Sequence, residues 1–130
     1  MPSILYQQLP SGVSEPEATL TGGTTVNSDG VTLQAQTGAL GFVLVFAANG
    51  PVFGTHTVSI QTAVDGANEW TDIGQTFPSI TVAGTYQFFV ARGVLDKVRV
   101  SIVSTSVTPI QSSALVTIHW LCDTAGIALN

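Results

Sequence analysis

The stretch Thr55 to Gly74, THTVSIQTAVDGANEWTDIG, decides the class of fold. In its first half Val58, Ile60, Thr62 and Val64 hold one parity, and Thr57, Ser59, Gln61 and Ala63 hold the other. Side chains on a strand alternate between faces, so this is a strand with one buried and one wet side. Asp65-Gly66 then supplies a turn, because glycine adopts positive φ without a Cβ clash and aspartate bonds its own downstream backbone. The chain is expected to return through Glu69 to Ile73 as a β-hairpin. Three acids, Asp65, Glu69 and Asp72, crowd this tip around Trp70. On the return, Trp70, Asp72 and Gly74 share one face while Glu69, Thr71 and Ile73 share the other, so the carboxylates diverge. Glycoside hydrolysis needs two acids converging at about 5 to 9 Å. An EF-type calcium loop needs alternating oxygen ligands closed by a glutamate. Neither pattern is met, and the tip reads as a solvated hairpin.

Working outward, the same period of two recurs. Val98, Val100 and Ile102 alternate with Lys97, Arg99 and Ser101, and Ala114, Val116, Ile118 and Trp120 alternate with Leu115, Thr117, His119 and Leu121. FVLVFAA, Phe42 to Ala48, is apolar in both parities, so it is expected to be a central strand covered on its second side by another sheet, an arm or a neighbouring subunit. Weaker strands are expected from Val31, from Ser79 and from Thr85. Turn residues stand at Asp29-Gly30, Asn49-Gly50-Pro51, Asp65-Gly66, Ala83-Gly84 and Arg92-Gly93, at the spacing of sandwiches and barrels. No segment carries an apolar stripe at helical spacing, and β-branched residues fill the runs. The class is therefore all-β: an antiparallel β-sandwich of seven to eight strands. The period does not choose between jelly-roll and immunoglobulin-like strand order.

Three parts are expected along the chain. Residues 1–30 hold Pro2, Pro10 and Pro16 among scattered apolar residues, which suits an extended N-terminal arm or an edge segment. Residues 31–122 form the sandwich, and 123–130 a C-terminal tail. Ile4, Leu5, Tyr6 and Leu9 are apolar anchors that fit an arm docking on a neighbour.

Composition narrows the function classes. Charged residues are 8% of the 130 and the net charge is −5, against a usual charged share of about 25%. Neutralising phosphates needs clustered Lys and Arg, and only Arg92, Lys97 and Arg99 exist, so no nucleic acid and no membrane partner is expected. One cysteine, Cys122, permits no internal disulfide, and it follows an apolar run as a small buried hydrophobe would. The first residues lack the basic and apolar regions of a signal peptide, and no run reaches the length of a membrane helix. The chain reads as soluble and made in the cytoplasm.

No reactive constellation emerges. His56 and His119 lack a Cys, Asp or Glu at ligand spacing, so no metal is expected, and both read as strand-surface or interface residues. No G-x-S-x-G elbow presents a serine nucleophile. Thr21 to Thr25, TGGTT, lacks the Gly-Lys-Ser/Thr ending of a phosphate loop. No catalytic residue, no cofactor and no enzymatic activity are expected. Of the aromatics, Trp120 and Tyr86 fall in phase with core positions. Only Trp70 is placed for exposure, which leaves a carbohydrate- or receptor-binding fibre domain as the alternative.

Ile60 to Gly74, with Asp65, Gly66, Trp70 and Thr71-Asp72-Ile73 in place, resembles a segment recurring in small virion proteins of tailed bacteriophages, with Ala63-Val64 where those commonly carry a serine before the acidic turn. The resemblance implies a β-sandwich, and the fold expected is jelly-roll-like with an extended N-terminal arm. It further implies a capsid decoration (cement) protein on the virion surface, a homotrimer whose partner is the major capsid protein. The residues expected at contacts are Ile4, Leu5, Tyr6 and Leu9 of the arm, Phe42, Val43 and Val45 of the apolar strand, and Trp70.

Overall fold

Alternating burial runs through every long strand, and it sorts the chain into two layers. A computed structural model describes residues 13–32, 40–64, 69–90, 97–106 and 109–122. Among these are nine strands: β1 (Val13–Thr21), β2 (Thr25–Asn27), β3 (Val31–Thr32), β4 (Leu40–Ala48), β5 (Thr55–Ala63), β6 (Thr71–Asp72), β7 (Gly84–Val90), β8 (Lys97–Thr105) and β9 (Ser113–Cys122). They form two antiparallel sheets and the described residues contain no helix. The first sheet runs β1-β9-β4-β7 and the second β2-β8-β5-β6, with β3 also on β8. The pairs are nested: β1 with β9, β2 with β8, β4 with β7 and β5 with β6.

The core lies between the sheets. Phe42, Leu44 and Phe46 of β4 and Val116, Ile118 and Trp120 of β9 face Val58 and Ile60 of β5 and Val98, Val100 and Ile102 of β8. Phe42 touches Phe77 edge-on at 5.6 Å and Trp120 at 5.8 Å. The expectation that Phe42 contacts a partner is therefore corrected: its ring is wholly enclosed, and it is Val43, Val45 and Ala47 that face outward from that run. The apolar second face of β4 is covered by neither sheet.

Other expectations are refined. β5 ends at buried Ala63, and Val64, expected inward, is 52% exposed because the strand stops before it. The segment from Ser79 is not a ladder strand but one bridge, in which His56 and Ile80 exchange two backbone bonds of 2.9 Å. Within the leader, residues 13–21 and 25–27 are the edge strands β1 and β2. Pro16 has no N–H to give a ladder, and the register of β1 shifts between Glu15 and Ala18 to accommodate it. Residues 1–12 with Ile4, Leu5, Tyr6 and Leu9, the hairpin tip 65–68, Arg92, the tail 123–130 and the Cys122 side chain lie outside the described residues.

The β4–β5 connection closes on a glycine. Gly54 has φ +86° and its missing Cβ would meet the Ser112 hydroxyl and, at 2.8 Å, the Thr105 carbonyl oxygen. Both the backbone angle and the space exclude a side chain there.

Candidate functional site

Three groupings of side chains could carry function. The first is the outer face of the β1-β9-β4-β7 sheet. Directly paired residues share a face, and the pairs Val43 with His119 and Gln87, Val45 with Thr117 and Thr85, and Ala47 with Leu115 all lie opposite the core parity. Gly41 sits between Leu121 and Phe89 on the same face. With no Cβ at Gly41, the Phe89 ring comes close over β4, 3.1 Å from where that atom would stand, while remaining 58% exposed. Val43, Val45, Leu115 and Leu121 are half-buried. Along β4 this face is apolar, and it is flanked by His119 and Gln87 beside Val43 and by Thr117 and Thr85 beside Val45, with His119 bonded through Nδ1 to the Ser14 hydroxyl at 2.5 Å. Its counterpart on the second sheet carries the hydroxyls and amides of Thr25, Asn27, Thr57, Ser59 and Gln61, with exposed Val103 between Thr25 and Thr57.

The second grouping surrounds Trp70. Register places Gln61 beside both Arg99 and Asp72 on the outer face of the second sheet. The Arg99 guanidinium lies over the Trp70 ring at 4.4 Å and the Lys97 ammonium at 5.2 Å, within the range of cation–π attraction. Arg99 Nε donates to Gln61 Oε1 at 2.7 Å. Asp72 Oδ1 accepts from the Gly74 N–H at 2.7 Å, so this acid is turned into its own bend. Trp70 is half-buried, and its ring is already stacked by a cation, an arrangement that leaves less of it for a sugar.

The third is a cleft of about 210 Å³ between the β1 and β2 edges, lined by Glu15, Glu17, Asp29, Val26, Ile102 and Val116 among others. Glu15 points inward from β1. Its Oε2 accepts from the Trp120 indole N–H at 2.6 Å, and both oxygens lie 3.2 Å from the Gly30 N–H. The carboxylate is thus spent on closing the sandwich. Among the described residues no three His, Cys, Asp or Glu side chains are grouped to hold a metal.

His56 corrects a further expectation. It was expected at a surface or interface, yet it has no exposed area. Its Nε2 lies 2.9 Å from the Phe53 carbonyl, which can only accept, so Nε2 carries the proton and Nδ1 accepts from the Ser104 hydroxyl at 2.8 Å. Burial pushes the imidazole below its usual value, and the bond to the Phe53 carbonyl opposes this in part. A histidine and a serine in this contact have the chemistry of a base and a hydroxyl. Ser104 is only 1% exposed and no substrate reaches the pair.

Of the expected contact residues, the structure sets Val43 and Val45 on one sheet and Trp70 on the outer face of the other. Glu15 with Trp120, His56 with Ser104 and Arg99 with Trp70 were not anticipated. A usable signal existed for the first two. A core tryptophan needs a partner for its N–H, and His56 shares the inward parity of Val58 and Ile60. No protein-family model matches the chain and no curated protein matches its sequence.

Proposed function

We propose that the protein is a structural assembly subunit, a capsid decoration protein of virion type, which trimerises and bridges neighbouring capsid subunits. The observation that carries this is the apolar strip that β4 lays along the first sheet's outer face through Val43, Val45 and Ala47, with Leu115 at one end and Leu121 and the exposed Phe89 at the other, on a chain with few charges. Exposed apolar area of this kind marks an interaction surface. Copies of the chain meet through it, and the leader carrying Ile4, Leu5, Tyr6 and Leu9 reaches the capsid protein. Many equivalent weak contacts on a closed lattice then give tight attachment. We read the nested strand pairs as jelly-roll winding, an architecture shared by capsid and lectin domains. That likeness of fold, and the likeness of residues 60–74 to phage virion proteins, are analogies that add to the surface and do not replace it.

Light scattering during size-exclusion chromatography tests the assembly directly. The expected species has three times the 13.5 kDa chain mass, and Val43→Glu shifts it to the monomer while the far-ultraviolet spectrum is kept. A wild-type monomer at every concentration overturns the trimer. Attachment is read by sedimentation with mature heads. The arm is tested by removing residues 1–12 only, since a cut at residue 30 would also remove β1 and β2.

A further inference from the structure

We propose that Arg99, held by Trp70 and Gln61, is a receptor for a carboxylate carried on an acidic segment of a partner protein. It lies on the sheet opposite the apolar face and does not depend on the assembly reading. A guanidinium offers two edges to a planar anion. The bond from Nε to Gln61 Oε1 occupies one of them, and it is the only hydrogen bond the Arg99 side chain makes among the described residues. The Nη1–Nη2 edge remains, in the geometry that takes both oxygens of one carboxylate.

Two restraints fix that edge in place. The guanidinium carbon lies over the indole ring at 4.4 Å from its centroid, and Gln61 tethers the group through Nε at 2.7 Å. Little side-chain freedom is then lost on binding, which is the usual penalty for an arginine contact. Arg99 and Trp70 are both half-buried, and reduced solvation strengthens the attraction to an incoming anion. Asp72, the acid nearest in register, is committed to Gly74 and lies beyond Gln61. Lys97, also over the indole, adds a second positive charge.

The class of ligand follows from the surroundings. A net charge of −5 repels a polyanion such as nucleic acid over distances where a single carboxylate on a mostly neutral peptide feels little. The fitting segment carries one glutamate or aspartate among uncharged residues.

Trp70 is its own reporter, since Trp120 is sealed in the core. The probe is a capped, otherwise uncharged peptide with one central glutamate, with its glutamine counterpart as control, titrated into the full chain at low and high salt. The expected result is a saturable fluorescence change with the glutamate peptide alone, weakened by salt and absent in Trp70→Phe. Arg99→Gln should weaken binding on the order of tenfold or more, the loss expected for charge-assisted bonds. If Arg99→Gln fails to fold, Arg99→Lys keeps the stem and charge but not the fork, and it too must bind more weakly. An equal response to the glutamine peptide, unchanged affinity in Arg99→Lys, or tighter binding of a short single-stranded oligonucleotide overturns the proposal.

Discussion

Among the described residues, Glu15 and His56 are the two ionisable side chains that the sandwich encloses, and each is held by different means. Glu15 receives the Trp120 indole N–H and the Gly30 N–H across the gap between the β1 edge and the loop after β2. Truncating it leaves a buried indole N–H without an acceptor, and an unsatisfied buried donor costs about 1–3 kcal/mol. Glu15→Ala is therefore expected to lower stability by about 2 kcal/mol in urea denaturation, with Glu15→Gln intermediate because its amide oxygen still accepts from the indole. His56 behaves through pH. Its folded value lies below the ordinary 6.5, so in acid the unfolded chain binds the proton more readily than the folded one. Its contribution to stability is full above about pH 6.5 and is lost as pH falls from there through the lower folded value. The urea midpoint should drop between pH 7.5 and pH 5, and His56→Gln should show a shallower drop over that window. Equal slopes in the two proteins would contradict the assignment.

At the scale of the element, β4 separates packing from surface within one strand. Leu44 is fully enclosed and Val43, its neighbour, is half-buried on the outer face. Leu44→Ala is expected to cost about 3 kcal/mol through lost burial and a residual cavity. Val43→Ala should cost less than about 1 kcal/mol and should act on self-association instead. Thermal unfolding of the two variants, read beside their mass in solution, distinguishes the roles. If Val43→Ala unfolds as readily as Leu44→Ala, the outer face is packed and not free. This parity was legible in FVLVFAA only in part. A run apolar in both registers announces a central strand, but nothing in it says which parity meets the other sheet. The choice fell to Phe42, Leu44 and Phe46 because β4 lies between β9 and β7, whose inward residues Trp120 and Phe88 stand directly opposite Phe42.

At the scale of the whole molecule, the first and last strands close the first sheet. Ser14 and His119 bond across 105 positions of chain, and Leu20 of β1 has no exposed area. Pairings between distant parts of the chain must form before they are rewarded, so folding is expected to be slow for the size. Removing residues 1–21 strips Glu15 and Leu20 from the core and bares the β9 edge. The expected outcome is loss of the cooperative unfolding transition in calorimetry. A truncated chain that still melts cooperatively near the intact temperature would show that β1 is dispensable.

By itself the sequence determined the all-β class, the inward parity of β5, β8 and β9 and the outward setting of Arg99 and Trp70, because side-chain alternation is a local property that any window reveals. Only the tertiary structure decided which strands are neighbours, that Phe42 is core and Val43 is not, that Trp120 finds Glu15, and that His56 is sealed against Ser104. Those outcomes depend on which distant segments meet. The energy of a buried polar group or of a stacked ring resides in its partner, and the partner is supplied by the fold and not by the neighbouring residues.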